Sequence, residues 1–200
     1  GFVHRFKPAE LQELMAAMER GGRSPAVEAF RVLRTNLQFS LLDRPGRTLM
    51  VTSAGPMEGK STVVANLARV MAQAGVRVIA VDADLRRPSL HRYLGTKNDR
   101  GLTNALLTPG LPDAELLQPT RQERLRLLSS GPIPPNPSEL LGSGRMAQLM
   151  EWLKGEAEVE LLDSPPALAV SDPLVLAPRV DGVLVVVDSG RTRTDALARA

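Results

Sequence analysis

The chain has no cysteine among its 200 residues. Disulfide bonds and thiolate metal centres are therefore excluded, and the composition fits a reducing compartment. No apolar run approaches the ~20 residues that a membrane-spanning helix needs. The longest, TLMV at 48–51 and GVLVVV at 182–187, have the length of strands. The segment GFVHRFKPAELQ at 1–12 lacks the apolar centre of a signal peptide. Neither an internal repeat nor a low-complexity segment is found. Charge of one sign is not in large excess: the formal net charge is +3, with 21 arginines and 4 lysines interspersed among 22 acids. That pattern describes a mixed surface and gives no footprint for nucleic acid. What is present is 43% hydrophobic residues, enough for one globular domain with a sizeable core, and 16 glycines and 16 prolines, in keeping with a loop-rich α/β protein.

Short apolar runs alternate with helical periodicity. Residues 8–19 (PAELQELMAAME) read as a helix with Pro8 in its first turn, broken by GGRSP at 21–25. AVEAFRVLRTNLQFSLL reads as a longer helix with Phe30, Leu33, Leu37 and Leu41 on one stripe. Strands are expected at Arg47–Ser53, at Val76–Val81 ending on Asp82, at Leu125–Leu128, at Val159–Leu162 ending on Asp163, and at Gly182–Val187. A helix over Thr62–Ala74 is stopped by Gly75. Short helices are expected at Gly101–Leu107 and Asp113–Leu117, and a long one from GPIPPNP through about Lys154. In NPSE, Asn136 can cap, Pro137 fits the first helical position, and Glu139 falls at the reciprocal capping position. A final helix begins within RTRTDALARA. This alternation predicts an α/β fold whose mostly parallel sheet is flanked by helices. Residues 1–45 are expected to form a helical arm and residues 46–200 the α/β core.

The stretch AGPMEGKST at 54–62 is poor helix and poor strand. It fits the phosphate-loop pattern G-x-x-x-x-G-K-[ST], with Ala54 at the first position and Gly59, Lys60 and Ser61 matching. Small residues let the backbone through Gly55, Pro56, Met57, Glu58 and Gly59 curl so that its free N–H groups point at phosphate oxygens, and the following helix presents its positive end. Lys60 would neutralise the β- and γ-phosphates, the Ser61 hydroxyl would ligate Mg²⁺, and Thr62 would reach the α-phosphate. The plain alternative is a glycine-rich turn with a solvated lysine. In VRVIAVDADLRRPSLH, Asp82 and Asp84 close a strand, where ligands of parallel sheets sit, and two carboxylates there suit Mg²⁺. The alternative is one capping aspartate and one surface aspartate. Asp163 in EVELLDSPP ends another strand, the place of a Mg²⁺-coordinating acid in a phosphate-loop protein, or else of an ordinary turn cap. Glu160, three residues upstream, is expected at the exposed rim.

Together GPMEGKSTVVANLA, VDADLRRPSLH, SGPIPPNPSELLGS and LLDSPPALAVSD resemble the cytoplasmic kinase domain of the bacterial tyrosine kinases (BY-kinases) of capsular and exopolysaccharide synthesis. EAFRVLRTNLQFS resembles their N-terminal helix. The resemblance implies a phosphate-loop NTPase fold of the MinD/ParA-like superfamily, and transfer of the γ-phosphoryl of ATP to tyrosine with Mg²⁺. By the same resemblance Lys60 and Ser61 match the first nucleotide motif, Asp82 and Asp84 the family's special second motif, and Asp163 the third. Tyrosine has a pKa near 10, so an acceptor oxygen benefits from a nearby carboxylate; Asp82 is the candidate base, with Asp84 supporting the metal. Arg86 and Arg87 could touch phosphate or a neighbour, or simply form a surface salt bridge. Glu28, Arg31 and Arg34 match the family's glutamate–arginine–arginine motif, which builds a ring of subunits. The alternative is an intrahelical Glu28–Arg31 pair worth only ~0.2–0.5 kcal/mol. The resemblance further implies a membrane polysaccharide co-polymerase or activator, fused or separate, protein tyrosine substrates, and a location at the cytoplasmic face of the bacterial plasma membrane.

Two features depart from that pattern. The family carries a tyrosine-rich tail, whereas this chain has one tyrosine, Tyr93, read as a packing residue near a loop. The fold's final strand and helix are also expected to be missing. Two other readings follow. A partitioning or septum-positioning ATPase would carry a signature lysine where Gly55 stands, and a nucleotide-sensing regulator of polysaccharide export would transfer nothing.

Overall fold

The four central apolar runs, too short for helices, become strands covered on both faces. The computed structural model describes residues 24–40, 47–108 and 114–200. Strands β1 (Arg47–Ser53), β2 (Val78–Asp82), β4 (Leu125–Leu128), β5 (Val159–Asp163) and β6 (Gly182–Val186) run parallel, while β3 (Leu117–Pro119) joins β4 antiparallel. The spatial order is β3-β4-β2-β5-β1-β6. The helices are α1 (Pro25–Ser40), α2 (Lys60–Gln73), α3 (Leu90–Leu94), α4 (Leu102–Leu107), α5 (Pro137–Gly142), α6 (Gly144–Glu156), α7 (Asp172–Leu176) and α8 (Thr194–Arg199).

Strand side chains alternate between two cores. Leu49, Val51, Val78, Ala80, Leu125, Leu127 and Leu161 pack with α1, α2 and α3. Met50, Ile79, Val81, Leu128 and Leu162 pack with α4, α5, α6 and α7. Burial on both faces explains why these strands read as continuous apolar runs rather than alternating ones. Helix α1 belongs to the first core: Val27, Phe30 and Leu33 are buried in it and Leu37 packs against it, while Arg34 Nη1 donates to the Val70 carbonyl of α2 at 3.2 Å. Burying side chains of this kind contributes about 1.5–3 kcal/mol each. The described part of the arm is thus held on the phosphate-loop helix.

Several local expectations change. The long helix expected before Lys154 is two, α5 and α6, because Ser143 closes one and opens the other. Its hydroxyl donates to the Leu140 carbonyl at 2.7 Å and accepts from the Met146 amide at 3.2 Å. The segment expected as a helix to Leu117 holds one 3₁₀ turn, Ala114–Leu116, and then the edge strand β3. Short helices α3 and α7 add to the expected set. The expected helix at 8–19, together with Leu41 and Asp113, lies outside the described residues.

Candidate active site

The phosphate-loop segment leaves β1 at Ser53, whose hydroxyl donates to the Gly55 carbonyl at 2.6 Å. Gly59 caps α2 with φ +93°, a left-handed conformation that favours glycine. Met57 is also left-handed at φ +61° and stands 88% exposed at the tip. Lys60 opens α2 and is buried, at 8% exposure. Ser61 and Thr62 follow on the same turn. Glu58 turns toward the β6–α8 loop, where its Oε1 accepts from the Thr192 hydroxyl at 2.6 Å. A Cβ added to Gly55 would stand 3.3 Å from that oxygen. A lysine at position 55 would therefore crowd the Glu58–Thr192 link, which is a physical reason for glycine there.

The acids come from the neighbouring strands. Asp163 of β5 is in register with Asp82 of β2 on one side and with Val51 of β1 on the other. The Ala83 amide donates to the Asp163 carbonyl at 2.9 Å, tightening this junction. Both carboxylates are fully enclosed, at 0% exposure. Asp82 Oδ2 accepts from the Ser89 and Leu90 amides at 2.9 Å each, but its Oδ1 is buried without a partner. Neither oxygen of Asp163 meets a donor in hydrogen-bonding geometry. Burial and then the charge of Asp163 push the Asp82 carboxyl well above the usual range, against its two amide bonds. Burial likewise pushes Asp163 up to about 7, although the Ser61 hydroxyl and the Lys60 ammonium draw it down.

Three buried carboxylate oxygens without donors are costly unless a positive group meets them. A divalent cation fits that deficit. Among the described residues no group of three His, Cys, Asp or Glu side chains is arranged to hold a metal ion by itself. Mg²⁺ does not require one, since it retains water and takes one or two carboxylates plus substrate phosphates. Asp82, Asp163 and Ser61 could hold it, with Asp84 beside them, close enough for its charge to raise both acids.

Asp84 is partly exposed, and its Oδ1 accepts from the amides of Arg86 and Arg87 at 3.3 and 2.9 Å. The Arg86 side chain forms the salt bridge expected as its plain alternative, a two-pronged pair with Asp172 of α7 at 2.9 and 3.0 Å. Glu160 corrects its expectation. It lies on β5 between β1 and β2, is 1% exposed, and accepts from the Thr48 hydroxyl. Its place between two neighbouring strands, not at a rim, accounts for this, and burial raises its carboxyl. The reciprocal cap at α5 also takes another form: the Asn136 amide donates to Glu139 Oε2 at 2.7 Å rather than accepting from the helix backbone.

In the arm, Arg31 pairs with Glu28 at 3.0 Å, and Arg34 is committed to α2. Tyr93 packs against the first core, on α3, and its hydroxyl shares a 3.3 Å hydrogen bond with Thr62. Tyr93, Asp172, Ser138 and Thr192 are the neighbours of the site that sequence reasoning missed. Only Asp172 carried a signal, the Ser-Asp-Pro start of a helix.

Residues 49–182 match the CobQ/CobB/MinD/ParA nucleotide-binding domain family. The chain is 42% identical over 173 residues to the tyrosine-protein kinase YwqD of Bacillus subtilis, covering 86% of this chain and 73% of that protein. Similarity to the tyrosine-protein kinase Wzc of Salmonella typhimurium is 39% over 161 residues, 80% of this chain but only 22% of that much longer protein. Among solved structures, the kinase domain of the Escherichia coli tyrosine kinase ETK superposes with TM-score 0.86 at 35% identity, covering 98% of this chain and 74% of that one. The MinD cell-division ATPase of Pyrococcus furiosus matches less well, with TM-score 0.60 at 26% identity over 70% of this chain and 59% of that one. The phosphate-loop fold, the strand-end acids and these likenesses converge: the chain belongs to the bacterial tyrosine-protein kinases, within the CobQ/CobB/MinD/ParA nucleotide-binding family.

Proposed function

We propose that this chain binds Mg-ATP at the carboxyl ends of β1, β5 and β2 and transfers its γ-phosphoryl group to protein tyrosine. One observation carries the reading: a buried ammonium, Lys60, opens the helix next to two enclosed carboxylates, three of whose four oxygens are buried without a hydrogen-bond partner. The amides of residues 55 and 57–59 cradle the phosphates, Lys60 sets charge against the β- and γ-phosphates, and Thr62 holds the α-phosphate end. Bound magnesium would supply further neutralisation of the triphosphate. Asp82 keeps one oxygen unpaired and a raised pKa, so it is better matched than an ordinary carboxylate to accept a tyrosine proton. Asp84 and Asp163 complete the acidic face.

The same reading extends to the setting. The likeness to Wzc- and ETK-type kinases supports a role in capsular or exopolysaccharide export, beside a membrane co-polymerase at the cytoplasmic face of the membrane. Glu28, exposed on α1, and Arg31, partly exposed beside it, are the arm residues available to a neighbouring subunit in a ring. Gly55 and the Glu58 carboxylate folded over it disfavour the lysine-bridged dimer of partitioning ATPases.

The test is calorimetry with Mg-ATP, followed by transfer of labelled phosphate to a peptide with clustered tyrosines. Lys60→Met is expected to abolish both. Binding unchanged in that variant would remove the site assignment. Binding without transfer in the parent chain would favour a nucleotide-sensing regulator instead.

A further inference from the structure

Asp172 is fully enclosed, with a side-chain exposure of 0%, yet both of its oxygens are engaged. Arg86 grips it with Nε on Oδ2 at 2.9 Å and Nη2 on Oδ1 at 3.0 Å. The Ser138 hydroxyl also donates to Oδ1, and it accepts from Arg86 Nη2 at 3.1 Å. These three residues come from three separate segments: the turn after β2, the start of α5 beyond the proline-rich loop, and the start of α7 beyond Asp163.

Arg86 also has a second attachment, through its main chain. Its amide and that of Arg87 both donate to Asp84 Oδ1. A shift of the turn that carries Asp84 would therefore move the main chain from which the Arg86 fork reaches Asp172. A fork–carboxylate pair fixes orientation as well as distance. Net stability is a poor reason for such a pair, because an ion pair with one partner 39% exposed contributes little.

We propose that Arg86, Asp172 and Ser138 form a positioning latch that holds Asp84 toward the metal–nucleotide site. This rests on the nucleotide reading above and deepens it. None of the three need touch nucleotide. They act by fixing the Asp84 turn against the helix that follows Asp163, so that the second and third acidic motifs keep one spacing.

The experiment is calorimetry of ADP with and without Mg²⁺ on the whole chain, with thermal melting alongside. The double variant Arg86→Met/Asp172→Leu removes both charges together, so no buried charge is left unpaired. It is expected to lose about tenfold of the affinity that Mg²⁺ adds, in the range typical of groups that orient metal ligands. Metal-free ADP affinity should stay within about twofold, because the cradle is untouched. Ser138→Ala should move the same quantity in the same direction by a smaller factor, about two- to threefold. A double variant that keeps the full Mg²⁺ gain overturns the latch, and so does one that loses metal-free and Mg²⁺-dependent affinity equally. If the double variant melts early, Arg86→Lys decides: it keeps the charge and loses the fork, so an undiminished Mg²⁺ gain there also overturns the proposal. A parent chain that binds no ADP under either condition sinks the nucleotide reading itself, a distinguishable result.

Discussion

Asp163 and Asp172 are both closed off from solvent, and they are opposites. Asp163 has two oxygens without hydrogen-bond donors, and burial drives its pKa up to about 7. Burial alone would raise Asp172 too, but the Arg86 and Ser138 hydrogen bonds and the Arg86 charge hold it below the usual range. The fold thus satisfies one enclosed carboxylate completely and leaves the other in deficit. On the reading proposed above, the deficit beside the buried lysine is where a ligand supplies the missing partner. A satisfied pair marks scaffolding.

The contrast breaks most readily at Asp172. Asp172→Ala removes the acceptor of the Arg86 and Ser138 hydrogen bonds, and because the guanidinium left behind is 39% exposed and can be hydrated, it is expected to cost about 1–3 kcal/mol in chemical denaturation. A cost under about 1 kcal/mol would mean that the pair is not built as described.

Acidity should separate the two next. A carboxyl whose folded pKa lies above its unfolded value stabilises the fold at low pH and loses that contribution as pH rises. For Asp163 the window runs from its ordinary value of 3.8 to about 7, so the nucleotide-free chain should lose on the order of 1–4 kcal/mol across it. Asp163→Asn should make that slope shallower. Asp172 has the opposite sign: its contribution is present above its ordinary pKa of 3.8 and is lost as pH falls through the lower folded value. Melting temperature followed from pH 3 to pH 8 reads both, and a wild-type curve that rises steadily from pH 4 to 7 would contradict the assignment for Asp163.

Smaller effects sharpen the boundary of the site. Tyr93→Phe removes one half-buried hydrogen bond to Thr62 and should cost about 0.5–1.5 kcal/mol, read as nucleotide affinity and not only as melting temperature. Glu28→Ala breaks an exposed pair three residues apart on α1, where Glu28 is 62% exposed. In the isolated chain it should change stability by no more than about 0.5 kcal/mol, and a larger loss would show that the pair has another structural partner.

Much of the frame was legible in the residues. β1 and β4 fall where their apolar runs stop, and the phosphate loop falls between strand and helix as its spacing demands. β3 escaped because three residues ending in proline carry no alternation to detect. The break at Ser143 escaped because a helix-capping hydroxyl inside GSG looks like a tolerated polar residue until the chain turns there. The pairing of Asp82 with Asp163 is a matter of register between strands distant in sequence, which periodicity along one segment does not encode. Arg86 and Asp172, 86 residues apart, are hidden for the same reason. Glu160 misled because a glutamate within a strand signals exposure unless its cross-strand neighbour, here Thr48, is known.

The hydrogen bond between Tyr93 and Thr62 has a practical consequence. Because the sequence holds a single tyrosine, its ultraviolet absorption comes from one known address beside the phosphate loop, apart from the lone tryptophan, Trp152, on α6. Ligand arrival could therefore be followed as a tyrosine difference spectrum on unlabelled material, with Tyr93→Phe as the built-in blank.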